Sequence, residues 1–440
     1  MHVSLRVLVL FILAAALGRA SQGGDRSVST GPSIKLSGSA FGTTYSIKIA
    51  AAGASIEPGQ LQSRIDALLA EIDAQMSLWR EDSELSRFNG HRGDDWFPVS
   101  ASTARVVAAA VEVGQASGGA FDPTVSPLVQ LWGFGPRRKP VRVPGDDDIA
   151  EARRHVGVSL IEVRRSPPAI RKQDPDVQLD LNGIAPGDAV DRVAELLDTL
   201  APRGYMVEIS GEVRTRGSKA DGSAWNIGIE APLIGQRIVQ SVIELHDAAL
   251  ATSGDYRNFF ERNGQRFCHT IDPRSGRPIN HSLAAVSVIA ADCMTADAWA
   301  TALMVLGPEE GFRFAEANGI EALLLIREGD GFAARATSGF PSTRQLPGGE
   351  AQIPHLDGSI TTLILTIAVF AIAIAGMSVG VMLSNRRLRG SCGGLNGLKD
   401  EKGNPLCGAC TQPARDCDEF RMKMASESPD PPNRDAAEHR

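Results

Sequence analysis

At 440 residues the chain is long enough for two or three domains with a substantial core, and its 43% hydrophobic and 22% charged residues are ordinary for a globular protein. A formal net charge of −7 argues against nucleic acid as a partner, because phosphate backbones are held by an excess of Lys and Arg. A nucleotide cofactor stays open, since one bound cation neutralises a pyrophosphate locally.

Residues 1–20 read as a secretory signal: Arg6 is the positive head, Val7 to Leu17 an apolar run too short to span a bilayer comfortably, and Gly18-Arg19-Ala20 a small-residue cleavage site. A signal cleaved after Ala20 and an uncleaved amphiphilic anchor are the two readings of this run. No Cys follows the apolar run, so a lipoprotein anchor is not expected. A flexible Gly/Ser-rich leader covers 21–36. Alternation predicts a strand over 37–49, and the spacing of Leu61, Ile65, Leu68, Leu69, Ile72 and Met76 predicts an amphipathic helix over 61–76. Asp82-Ser83 form a turn and cap. A second helix over 103–117 ends at Gly118-Gly119. The loop 120–135, A-F-D-P-T-V-S-P-L-V-Q-L-W-G-F-G, holds two prolines and three aromatics; it suits a wall around a planar ligand, or equally a rigid packed loop.

A short strand over 177–181 enters N-G-I-A-P-G-D and leads to a helix over 188–200. A strand-to-helix turn of this kind can present backbone N–H groups to an anion such as a pyrophosphate, or simply let a helix pack closely on a sheet. Strands follow over 205–209, 224–229 and 238–245. The stretch 251–307 then carries the most chemistry. It has a small-residue turn at Thr252-Ser253-Gly254, a His-x-x-Asp-Pro turn from His269 to Pro273, and a helical run with Asp297 and Thr301 four residues apart. That spacing puts carboxylate and hydroxyl on one helix face, where oxygen donors suit a hard cation such as Mg²⁺. His269 is the candidate general base and Asp272 a cap for its turn. A helix over 311–318 and a strand over 322–326 complete a mixed α/β (α+β) domain spanning 37–340.

A linker over 341–359 precedes 24 residues without a charge, 360–383, long enough to cross a bilayer with some tilt. Arg386, Arg387 and Arg389 follow at once, so this end is expected in the cytoplasm, and the signal and the span agree on orientation. Gly376 and Gly380 could seat a partner helix or merely be tolerated. Four of the six cysteines crowd the segment 384–420: Cys392, Cys407, Cys410 and Cys417. In a reducing compartment they suit a soft metal, iron or zinc, better than disulfides. Residues 421–440 are charged and Pro-rich, and are expected to be disordered.

Five motifs in order resemble the ApbE family of FAD-dependent protein FMN transferases: F-G-T-T-Y-S-I from Phe41, M-S-L-W-R-E-D-S-E-L-S-R-F-N from Met76, G-A-F-D-P-T-V-S-P-L-V-Q-L-W-G-F-G, L-D-L-N-G-I-A-P-G-D-A-V-D, and the stretch 251–307. The resemblance implies that FAD is split and FMN attached through a phosphoester to a Thr or Ser of an acceptor protein, with release of AMP. It implies Mg²⁺ on Asp297, Thr301 and the backbone carbonyl of Ala185, with His269 and Asp297 as catalytic residues. Flavin contacts are implied at Phe41, Trp79, Ala120, Phe121, Asp122, Asn182, Asp188, Ile271 and Ala300. Two positions depart: the family commonly has Met where Phe41 stands and Lys where Pro186 stands, which removes a cation from the phosphate region. A Mg²⁺-dependent FAD pyrophosphatase without a protein acceptor, or a flavin-binding assembly factor, is the alternative.

The tail resembles a second family, the membrane-anchored maturation factor NqrM of the Na⁺-translocating NADH:quinone oxidoreductase, through G-M-S-V-G-V-M, R-G-S-C-G-G-L and C-G-A-C. That factor is associated with installing iron, and two subunits of the same complex carry covalent FMN on Thr. The resemblance therefore implies one client: subunits of this complex, flavinylated by a periplasmic domain and served by a cytoplasmic Cys-rich tail, from a single-pass protein of the bacterial inner membrane.

Overall fold

A computed structural model describes residues 33–50, 57–136 and 143–345. Its frame is one eight-stranded sheet, with strands numbered here in chain order. They are β1 (Ser33–Ala40), β2 (Thr43–Ala50), β3 (Gly204–Ile209), β4 (Glu212–Gly217), β5 (Ala249–Gly254), β6 (Leu283–Ala290), β7 (Glu321–Glu328) and β8 (Gly331–Ala336). Spatial order equals chain order and every neighbouring pair is antiparallel, so the sheet is a meander interrupted by long insertions. The single strand expected over 37–49 is in fact the hairpin β1–β2. Phe41 (φ 54) and Gly42 (φ 74) form its two-residue turn, both in the left-handed region such a turn requires.

Among the described residues seven α-helices serve the frame: α1 (Pro58–Met76), α2 (Glu84–Gly90), α3 (Ala101–Ala116), α4 (Ser126–Leu131), α5 (Asp146–Arg153), α6 (Ala185–Asp198) and α7 (Cys293–Ala317). The period-2 alternation of β7 shows how the core divides. Ala322 and Leu324 face α7, while Leu323 and Leu325 join Trp225, Ile227, Ile243 and Leu245 of a small sheet covering the other face. Helices α1, α3 and α6 pack with β1, β2 and β3 in the largest core.

Several expected elements change form. The Thr252-Ser253-Gly254 turn is the end of β5. The strand over 177–181 reduces to one bridge, Gln178 to Val125. The Asn89 side chain stands where a partner strand would, donating to the Leu179 carbonyl (2.8 Å) and accepting from the Leu179 amide (2.7 Å), while the Lys172 ammonium takes the Val177 carbonyl at 3.0 Å. The helix over 311–318 is the second half of α7, bent at Gly307 (φ 83) before Pro308. Proline has no N–H for the Met304 carbonyl, and His281 Nε2 donates to it instead at 3.0 Å. The signal, the span over 360–383 and the cysteine tail lie outside the described residues, among which no helix is long and apolar enough to cross a membrane.

Candidate active site

Helices α6 and α7 hold each other by their first turns. Asp191 of α6 accepts hydrogen bonds from the Cys293 and Met294 amides of α7 at 2.9 and 2.8 Å. In return Asp297 of α7 accepts from the Gly187 amide of α6 at 3.1 Å. Each carboxylate thus meets the positive end of the other helix. The contact is close because Gly187 lacks a side chain: a Cβ there would lie 2.4 Å from the Cys293 carbonyl oxygen.

The same bonds bear on the two readings of the strand-to-helix turn that opens α6. The first turn of α6 has no free donors for an anion: the Ala185 amide donates to Leu181, that of Asp188 to Ile184 and that of Gly187 to Asp297, and Pro186 has none. Within α6 the turn fastens the acidic residue, the packing reading of the two, while Asn182 and Gly183 before it line the same cavity as Asp297.

Asp297, Thr301 and Val305 follow one another at four-residue spacing along α7 and line a cavity of about 690 Å³. Thr301 Oγ1 lies 3.0 Å from Ser253 Oγ of β5, and Gly183 approaches so closely that a Cβ on it would fall 2.9 Å from that hydroxyl. Asp297 is only 5% exposed. Burial pushes its carboxyl up to about 7, with the Gly187 bond opposing and the charge of Asp191 assisting. Glu212, at the start of β4, lines the cavity too; burial first, then the charge of Asp297, raise it well above the usual carboxylate range. A carboxylate, a hydroxyl and a nearby backbone turn in a buried place, without an ion-pair partner among the described residues, are a donor set that fits a hard divalent cation.

His269 stands across the cavity, after the hairpin of strands Phe259–Arg262 and Gln265–Cys268. Its Nδ1 donates to the Asn258 carbonyl at 3.2 Å, which leaves Nε2 as the free, basic nitrogen. Burial lowers its pKa, so the neutral ring is favoured. Asp272 accepts from the Arg274 amide at 2.9 Å and so caps its turn.

Trp79, Ala120, Phe121, Asp122, Asn182, His269, Ile271, Asp297 and Thr301 all line this one cavity. Asp122 is spent partly on its own loop, accepting from the amide and hydroxyl of Thr124 at 2.8 and 2.6 Å. Trp79 is a rim residue, 63% exposed. Four predicted residues are outside the lining. Ala300 is buried on the inner face of α7, and Ala185 packs on the main core. Asp188 is buried against Arg105 at 2.5 Å, with its carboxyl pushed up to about 6 by burial. Phe41 belongs to a separate groove between the β1–β2 hairpin and α1. Sequence reasoning missed Glu212, Asp180 and Asn258 as lining residues; the Ser210-Gly211 turn before Glu212 was the available signal. The Cys392, Cys407, Cys410 and Cys417 set lies outside the described residues. Among them a different cluster, His155, Asp174 and Asp176, is close enough for a metal, but Arg92 already pairs with Asp176 and His155 with Asp174.

The family model described as the ApbE family matches residues 41–324, and one described as (Na+)-NQR maturation NqrM matches residues 381–429. An FAD:protein FMN transferase of Vibrio cholerae is 46% identical over 307 residues, 70% of this chain and 91% of that protein. Its namesake in Haemophilus influenzae is 41% identical over 312 residues, covering 70% and 90%. Among solved structures, the flavin transferase ApbE from Vibrio cholerae matches with a TM-score of 0.65 at 44% identity, over 70% of this chain and 98% of that one. The apo flavinyl transferase ApbE of Pseudomonas stutzeri matches with the same score at 42% identity, over 70% and 95%.

Proposed function

The chain belongs to the ApbE family and transfers FMN from FAD to an acceptor protein, and we propose that the cavity on α7 is where it does so. Asp297 and Thr301 would hold Mg²⁺ with the Ala185 carbonyl. Bound there, the ion supplies neutralisation of the pyrophosphate charge, which phosphoryl transfer needs most. His269 Nε2 accepts the proton of the acceptor Thr or Ser hydroxyl. That oxygen bonds to the FMN phosphorus as the P–O bond to AMP breaks, and AMP leaves with the electron pair. Trp79, Phe121 and Ile271 offer apolar surface to the flavin, Ala120, Asp122 and Asn182 orient it, and Asp188 and Ala300 back the wall. Phe41 lies apart from these residues, in the groove beside α1.

The observation that carries this reading is the convergence on one cavity of a buried Asp297–Thr301 face and a His whose Nε2 is free. The test is to incubate the full chain with FAD, Mg²⁺ and an acceptor peptide bearing Thr. Covalent flavin fluorescence on the peptide, with one AMP per label, is expected. AMP and FMN released with no labelled peptide would instead make the chain an FAD pyrophosphatase.

For the rest of the chain, the proposal is a single-pass protein of the bacterial inner membrane. The signal exports the catalytic domain to the periplasm, the span 360–383 returns the chain, and the tail cysteines carry iron or zinc in the cytoplasm. The match to the NqrM model supports the Na⁺-translocating NADH:quinone oxidoreductase as the client whose subunits are flavinylated.

A further inference from the structure

Glu212 begins β4 directly after the two-residue turn Ser210-Gly211, whose φ values of 62 and 111 pin the register of the hairpin with β3. The residue is 9% exposed and lines the cavity that holds Asp297 and Thr301. Its Oε2 is buried without a hydrogen-bond partner, and among the described residues Glu212 makes no ion pair. A buried, unpaired carboxylate oxygen is costly, and more so beside the second carboxylate of Asp297.

Polar groups that line the same cavity are engaged elsewhere. Ser253 is bonded to Thr301, Thr252 to Ser287 at 2.8 Å, and Arg257 to Glu230 at 2.7 Å. The missing partner therefore comes from the cavity. Two carboxylates facing one enclosed space, with a hydroxyl beside them, ask for positive charge there. A small divalent ion that keeps several of its waters supplies both the charge and the donors.

We infer that Glu212 is the second acidic group of the cation site, holding the divalent ion through its waters while Asp297 and Thr301 bind it directly. The inference rests on the Mg²⁺ reading above and adds a positioning residue to it.

The test uses the full-length protein, stripped of metal and free of FAD, titrated with Mn²⁺ and followed by the electron paramagnetic resonance of the free ion. Glu212→Gln is expected to weaken Mn²⁺ binding roughly 10–100-fold, as loss of an outer-shell ligand partner does. Glu212→Asp, which keeps the charge, should fall between Glu212→Gln and wild type. The thermal midpoint of metal-free Glu212→Gln should equal or exceed that of wild type, because one of two facing carboxyl groups is gone, and the upward shift caused by Mg²⁺ should shrink. If Glu212→Gln binds Mn²⁺ like wild type while Asp297→Ala does not bind it, the Glu212 inference falls and the Mg²⁺ reading stands. If Asp297→Ala also binds like wild type, both fall. A loss of FAD affinity with Mn²⁺ affinity unchanged would assign Glu212 to the substrate and equally overturn the inference.

Discussion

At His269 the bond from Nδ1 to the Asn258 carbonyl fixes which nitrogen can act, and burial keeps the ring neutral. His269→Ala is expected to slow FMN transfer to the acceptor peptide by about 10²–10⁴-fold, the usual worth of a positioned base, with FAD affinity nearly unchanged. Stopped-flow FAD binding set beside labelling kinetics checks this, and a mutant that labels at the wild-type rate would remove His269 from the chemistry. Asp297 carries a second expectation. Its proton is held up to about pH 7 in the folded chain and only to about pH 4 in the unfolded one. Between those values the folded state binds more protons, so its contribution to stability is lost as pH rises through that window. The thermal midpoint of the metal-free protein should fall from pH 5 to 7.5, less steeply in Asp297→Asn and less steeply in wild type with Mg²⁺. An identical slope in the mutant would show that Asp297 does not hold the proton.

Between elements, the reciprocal capping of α6 and α7 makes a separate demand. Asp191→Ala would leave the Cys293 and Met294 amides without acceptors and Arg214 without the carboxylate it pairs with at 2.5 Å. A stability loss of about 2–3 kcal/mol is expected in urea unfolding, combining a lost cap with a half-buried charge left alone. Mg²⁺ affinity should weaken too, because α7 carries Asp297 and Thr301; a mutant as stable as wild type would show that the clamp is dispensable. The i, i+4 face of α7 was legible from sequence because a helix fixes what lies four residues away. The cap was not, since nothing in A-P-G-D says that the Gly187 amide finds a carboxylate 110 positions on. The expected strand at 177–181 failed for the same reason: its alternation is real, and Val177, Leu179 and Leu181 are buried, but Asn89 occupies the place of a partner strand. Glu212 escaped notice because β4, E-V-R-T-R-G, is too polar to read as a strand, although its Val213 and Thr215 are buried in the sheet.

Across the whole molecule, every residue lining the cavity lies between Lys48 and Val305, while Cys392, Cys407, Cys410 and Cys417 and the uncharged stretch 360–383 lie beyond residue 345. Flavin transfer and the proposed metal delivery would therefore draw on separate lengths of chain, and the proposed topology would put the two chemistries on opposite faces of one membrane. Changing Cys392, Cys407, Cys410 and Cys417 together to Ser should abolish metal recovered with the anaerobically purified protein, while labelling of the acceptor peptide stays close to wild type, because none of these cysteines is among the described residues that line the cavity. A reporter active only outside the cytoplasm should work when fused after residue 345 and fail when fused after residue 440. If both fusions are active, the tail is exported and the cysteines meet oxidising conditions, where pairing into disulfides outcompetes soft-metal binding. In cells, the cysteine mutant should then yield a client complex that carries FMN but lacks its metal centre, and His269→Ala the converse. That double dissociation, read by flavin fluorescence and metal analysis of the purified client, separates one chain with two tasks from one chain with a single task. Loss of both cofactors in either mutant would mean that the halves act as a unit.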